Sequence, residues 1–133
     1  MKGLVLSGGY GTRLRPLTHT GPKQLIPIAN KPNILYCIED IRDAGIKDIG
    51  IILGNVMPEK VQEFLGDGSK FGVKLTYIVQ GEPKGIAHAV NCAKDFMGSD
   101  SFVVYLGDNL LKNGIKAIPK KMNQEKADCV ISL

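Results

Sequence analysis

Tryptophan is absent from this sequence, and four tyrosines with four phenylalanines bring the aromatic share to only 6%. The basic and aromatic interleaving of a single-strand nucleic-acid groove is therefore missing, and nucleic acid is not an expected partner. No apolar run nears the roughly 18 residues that a membrane span requires. The run Leu4 to Leu6 stops at Ser7, short of the roughly 7 to 15 residues of a signal-peptide core, so no membrane partner is expected and the expected address is the cytoplasm. Cysteine is scarce: Cys37, Cys92 and Cys129 are odd in number, far apart and set among apolar neighbours. Neither a disulfide framework nor zinc spacing emerges, and all three read as core thiols. Acidic residues are missing from the start of the chain, where the first carboxylate is Glu39.

What is present is globular composition. The 133 residues are 44% hydrophobic and 23% charged, about one ordinary domain and small for an enzyme with two substrates. The formal net charge of +4 suits either nucleic acid or small anionic ligands. Short runs rich in Val and Ile at Lys2–Ser7, Asp48–Leu53, Lys74–Val79 and Ser101–Leu106 read as strands. Between them Ile34, Ile38 and Ile41, then Val61, Phe64 and Leu65, then Ile86, Val90, Ala93 and Met97 share helical faces. Pro32 and Pro58 mark helix starts, Gly45 and Gly98 mark stops, and Gly66-Asp67-Gly68-Ser69 marks a turn. Strand and helix alternate throughout, which predicts an α/β fold: a doubly wound, mostly parallel, Rossmann-like sheet covered on both faces. In such sheets ligands bind outside the carboxyl ends of the strands where the winding reverses. Attention falls on the residues after Ser7 and after Leu106.

The first strand runs into Gly8-Gly9-Tyr10-Gly11-Thr12-Arg13, where bare backbone amides can approach an anion. It is no dinucleotide fingerprint, because Leu14 occupies the third glycine position, and no Walker A loop, because Thr12-Arg13 follows Gly11 where Lys and Ser or Thr would be needed. Arg13, Arg15 and Lys23 follow with no carboxylate nearby in sequence, a charge that polyphosphate would balance. The guanidinium forks two oxygens while the ammonium acts as a point charge. Asp108, in Tyr105-Leu106-Gly107-Asp108-Asn109, ends a strand expected beside the first, where one carboxylate suits Mg2+ shared with phosphate oxygens. Gln24 and Gln80 offer amides that can meet a base edge as donor and acceptor. His19, in a polar loop, and His88, on a helix face, read as non-catalytic, and no Ser, His and Asp set emerges.

The run Leu6 to Thr18, then Pro22-Lys23-Gln24-Leu25-Ile26-Pro27-Ile28 and Asn30-Lys31-Pro32, resembles the opening signature of the sugar-phosphate nucleotidylyltransferases. Gln24 after the signature lysine, where guanylyltransferases carry Pro, resembles the glucose-1-phosphate thymidylyltransferase branch, as do Gln80 ahead of Gly85-Ile86-Ala87-His88-Ala89 and the strand ending in Asp108. The resemblance implies attack of a sugar 1-phosphate on the α-phosphorus of dTTP, with Arg13, Lys23 and Mg2+ neutralising charge. Leu6, Gly8, Gly9, Gly11, Thr12, Arg13, Gln24, Gln80 and Gly85 would hold the nucleotide, and Asp108 the metal. A guanylyl- or uridylyltransferase of the same fold and a non-catalytic nucleotide sensor are the rival readings. Family members are more than twice this length, and the longer thymidylyltransferases continue into a left-handed β-helix. Residues 1–133 are thus expected to be the nucleotide-binding part, with the sugar site and a second metal carboxylate downstream. Cys129 to Leu133 reads as a strand just beginning, so the sheet is expected to be incomplete, with an exposed edge that favours self-association into a homo-oligomer.

Overall fold

The computed structural model describes residues 1–132. Four parallel strands form the central sheet: β1 (Lys2–Ser7), β4 (Asp48–Leu53), β5 (Lys74–Val79) and β6 (Phe102–Leu106), in the spatial order β5, β4, β1, β6. Alternation along the strands decides which side chain faces which layer. Val5, Ile49, Ile51 and Leu53 bury into one cluster with Ile34, Ile38 and Ile41 of helix α1 (Asn33–Asp43) and Val61 and Leu65 of α2 (Pro58–Leu65). Leu4 and Ile52 point the other way, into a second cluster with Ala89 of α3 (Ile86–Cys92), Met97 of α4 (Lys94–Met97) and Ala93 between them. The middle of the sheet, at β1 and β4, is therefore buried on both faces, as parallel sheets are, and each fully buried Ile or Leu contributes about 1.5 to 3 kcal/mol. A last helix, α5 (Ala117–Glu125), follows β6.

The order of the strands creates the site. From β1 the chain winds outward through β4 to β5, then returns across the sheet to place β6 on the opposite flank of β1. Leu6 pairs with Ile52 on one side and with Leu106 on the other, and Gly107 extends the ladder by donating its N–H to the Leu6 carbonyl at 2.9 Å. The crevice between the carboxyl ends of β1 and β6 is where the two winding directions part. Tyr105 ties β6 to α1 through a 2.9 Å hydrogen bond from its hydroxyl to Asp40 Oδ2. Burial, and then that acceptor carboxylate, hold its phenol above the ordinary tyrosine range.

Several local expectations are corrected. The single helix expected through Ile86 and Met97 is two, with Ala93 between them at φ −92, ψ 8. Ala93 donates to Val90 at 3.0 Å, a tightened turn that keeps Ala89, Ala93 and Met97 on the buried face. The stretch Thr18 to Pro32, which the apolar runs leave without an element, holds a short hairpin, β2 (Pro27–Ile28) against β3 (Lys31–Pro32). Its turn needs positive φ at Ala29 and Asn30, 48 and 63 degrees, the signature of a two-residue hairpin loop with alanine where glycine or asparagine is usual. Cys129 to Ser132 forms no strand but lines the apolar groove beside β6, and Leu133 lies outside the described residues. Of the three expected core thiols only Cys37 is buried, while Cys92 is half-buried and Cys129 exposed. Desolvation, then the nearby Asp40 carboxylate, push the Cys37 thiol up to about 12.

Two outcomes follow from this architecture. Because Cys37 stays protonated and enclosed, a thiol reagent at pH 8 should label native protein first at Cys129, more slowly at Cys92, and at Cys37 only after unfolding; peptide mapping reads the order. The outer edge of β6 is unpaired among the described residues and Phe102 and Val104 stand exposed along it, so a chain of residues 1–133 should self-associate. Light scattering that finds a monodisperse monomer would overturn that.

Candidate active site

The floor of the crevice is made of strand ends without side chains. A Cβ built on Gly54, just after β4, would lie 2.3 Å from the Gly8 carbonyl oxygen, so the two adjacent loops touch backbone to backbone. A Cβ on Gly107 would fall 2.8 Å from the Leu6 carbonyl oxygen. A Cβ on Gly8 or Gly9 would meet the ends of the Gln80 and Lys23 side chains instead, at 2.5 and 3.3 Å. Gly11 has φ 65 and leads into a 3-10 turn at Thr12–Leu14 that carries Arg13. The loop is closed by Thr18, whose hydroxyl donates to the Gly11 carbonyl at 2.9 Å.

A second 3-10 turn, Lys23–Leu25, sits against this loop. A Cβ at Gly9 would be 3.3 Å from Lys23 Nζ, so the ammonium lies against the glycine channel. Its other side meets Asp108 Oδ2 at 2.5 Å. Sequence alone left Lys23 without a counter-charge, because the carboxylate arrives from the far end of the chain; the topology brings it there. Arg13 and Arg15 are exposed and make no ion pair among the described residues.

The two glutamines part company. Gln24 is 1% exposed and its Nε2 donates to the Ser7 carbonyl at 2.6 Å, so it pins the end of β1 from beneath the loop. Gln80, at the end of β5, reaches back over the cradle: a Cβ on Gly8 would be 2.5 Å from its Oε1. Gly85, with φ 97, opens α3 on the same side and its carbonyl accepts from Gln80 Nε2 at 3.4 Å. The structure therefore brings Gly8, Gly9, Gly11, Lys23, Gln80, Gly85 and Asp108 around one crevice, with Leu6 behind it and Thr12 and Arg13 on its exposed rim.

Three residues of this corner were not singled out in sequence. Gly54 carried the signal of a glycine after a strand. Asn33, at the start of α1, donates from Nδ2 to the Gly107 carbonyl at 3.4 Å, and nothing in its sequence context marks it. Ser7 supplies the carbonyl that Gln24 holds. Ser7 Oγ and Asn33 Oδ1 are sealed from solvent without a hydrogen-bond partner among the described residues, each a cost of about 1 to 3 kcal/mol retained at this one corner.

The nucleotidyl transferase family profile matches residues 2–133. The chain belongs to this family. It is 64% identical over 115 residues to the low-salt glycan biosynthesis nucleotidyltransferase of Haloferax volcanii, covering 86% of this chain and 32% of that one. Over 133 residues it is 48% identical to a glucose-1-phosphate thymidylyltransferase of Streptomyces griseus, covering 100% of this chain and 37% of the relative. Among solved structures it resembles a Bacillus anthracis protein assigned as a glucose-1-phosphate thymidylyltransferase and crystallised with sucrose. There the TM-score is 0.90 at 40% identity, over 95% of this chain and 51% of that chain. A UDP-glucose pyrophosphorylase of Acinetobacter baumannii follows at TM-score 0.80 and 26% identity, over 95% and 53%. The chain thus spans about a third of the length of those curated relatives. As in other nucleotidyl transferases of this fold, its sheet is mostly parallel with helices on both faces. No helix among the described residues is long and apolar enough to cross a membrane.

The pairing of Lys23 with Asp108 has a measurable consequence. A polyphosphate in the glycine channel would compete with Asp108 for the same ammonium, so removing the carboxylate's charge should tighten metal-free anion binding. Calorimetry with tripolyphosphate in EDTA should show Asp108→Asn binding about threefold to tenfold more tightly than wild type, a modest gain because the pair is partly solvated. Equal or weaker binding would show that Asp108 does not restrain Lys23.

Proposed function

We propose that the full-length protein is a glucose-1-phosphate thymidylyltransferase, which transfers a thymidylyl group from dTTP to glucose 1-phosphate and releases pyrophosphate. The observation that carries this reading is the meeting of a glycine-rich loop, an ammonium and a carboxylate at the winding reversal. The relatives with that activity in their names support it. Residues 1–133 would be the nucleotide-binding part, and the sugar-binding part would belong to the remaining length of the relatives.

The chemistry asks little of the protein beyond placement. A phosphate oxygen of the sugar 1-phosphate forms a bond to the α-phosphorus while the bond from that phosphorus to the bridging oxygen breaks, and the electron pair leaves with pyrophosphate. The nucleophile is already an anion, so no general base is needed, and catalysis rests on alignment and on neutralising charge. The loop Gly8 to Gly11 accepts the triphosphate against backbone amides, Lys23 turns from Asp108 to a phosphate oxygen, and Arg13 on the exposed rim forks the departing phosphates. Asp108 is a half-exposed oxygen donor beside that channel. It fits Mg2+, which takes one or two carboxylates together with phosphate oxygens and needs no protein cage; no cluster of three or more ligating side chains exists among the described residues. Asp108 would hold the ion, which when bound would neutralise phosphate charge as a Lewis acid. Gln80 and Gly85 face the base, and Gln24 acts from below by holding the end of β1.

The similarity to a UDP-glucose pyrophosphorylase makes uridylyl transfer the second reading, and substrate competition decides between them. Pyrophosphate release by the full-length protein with glucose 1-phosphate and Mg2+ should be fastest with dTTP, slower with UTP and slowest with GTP. Arg13→Ala should lower kcat/KM by roughly tenfold to a hundredfold, the worth of a charge-assisted contact. Preference for GTP, or an unaffected Arg13 variant, would sink the assignment.

A further inference from the structure

We infer that His88, together with the Gly85 carbonyl, holds the direction of the Gln80 amide, so that Gln80 meets the base as a hydrogen-bond acceptor only and selects a base carrying a ring N–H. The inference rests on the base-facing role proposed for Gln80.

Gln80 is 9% exposed and is anchored by its backbone N–H, which donates to the Leu53 carbonyl at 2.9 Å. Its side-chain nitrogen lies 3.4 Å from the Gly85 carbonyl oxygen and 3.3 Å from His88 Nδ1. A carbonyl oxygen can only accept, so the nitrogen end of the amide must face Gly85. The second amide hydrogen then faces His88, whose Nδ1 must be the bare nitrogen and Nε2 the protonated one. That tautomer has an acceptor for its own proton, since Cys92 Sγ stands 3.9 Å from Nε2, one helical turn along α3. The three side chains form a directed chain, with Gln80 donating to His88 and His88 donating to Cys92.

Both hydrogens of the Gln80 amide are thereby committed inside the protein. Its oxygen lies over Gly8, accepts no bond from the described residues, and is not among the polar atoms sealed from solvent without a partner. It is the one group of this amide left for a ligand. Thymine and uracil present a ring N–H to it. Cytosine presents a lone pair at the same ring position, and two acceptors then face each other. Without His88 only the 3.4 Å contact to the Gly85 carbonyl opposes turning the amide over to offer a donor, which weakens the distinction.

The test uses the full-length protein and calorimetric binding of dTTP and dCTP in Mg2+. Wild type should favour dTTP by at least about tenfold. His88→Leu, which leaves a comparable side-chain volume without a ring nitrogen, should cut that ratio several-fold, mainly through tighter dCTP binding, with an unchanged melting temperature. His88→Asn, whose Oδ1 can take the place of Nδ1, should restore the ratio. The inference is overturned if His88→Leu keeps the wild-type ratio. It is overturned equally if both His88 variants lose both nucleotides in the same proportion, the pattern of a purely structural residue. Failure of the thymidylyl-transfer reading shows separately, as no pyrophosphate release from dTTP and glucose 1-phosphate by wild type, while the binding ratios still report on the amide.

Discussion

Parallel pairing on both flanks of β1 is the constraint on which the rest depends. Parallel neighbours cannot be joined by tight turns, so every return of the chain needs a covering helix, and the helices supply the two hydrophobic clusters that bury the sheet. With β4 on one side and β6 on the other, the strands leaving β1 depart in opposite directions. No crossover closes the top of that gap. The same pairing sets the loops after β1 and β6 side by side, so Gly8 and Asp108, a hundred positions apart, face a common space.

Electrostatics inside that space are organised as exchange rather than as fixed attraction. Lys23 has a partner before any ligand arrives, so the ammonium is held in place instead of ranging through solvent. In the proposed function, swapping Asp108 for phosphate would keep the lysine satisfied throughout and release the carboxylate for a cation. On the proposed reading, metal and polyphosphate entering together would leave no charge stranded, whereas either alone would break a pair. The buried amides of Gln24 and Asn33 act below this level, holding the carbonyls at the ends of β1 and β6 through the Ser7 and Gly107 oxygens.

Much of this was legible in the residues themselves. Three of the four long strands carry the boundaries read from their apolar runs, and the fourth differs by one residue. Fully buried parallel strands write themselves as unbroken Val and Ile runs, and the punctuating glycines fall at positive φ at positions 45, 66, 68 and 98. What escaped depends on contact across the fold. Ala29 and Asn30 make a hairpin turn that local preference alone does not announce. The expectation that Cys129 was buried came from apolar neighbours, but a short run without a strand partner gains no cover from them. Gln24 and Gln80 carry the same side chain, and only the fold separates an amide spent on Ser7 from one poised over Gly8.

The backbone contact between Gly8 and Gly54 carries one more implication, for evolutionary drift. The obstacle at position 54 is a main-chain oxygen 2.3 Å away, which cannot swing aside as a flexible side chain would. Any mutation there, even the smallest, must shift one loop off the other, while the hydrophobic clusters beneath lie outside the contact. A duplicated copy of such a gene could lose its ligand through one codon and keep its fold. In descendants, an intact glycine at position 54 would mark lineages in which the two loops still touch.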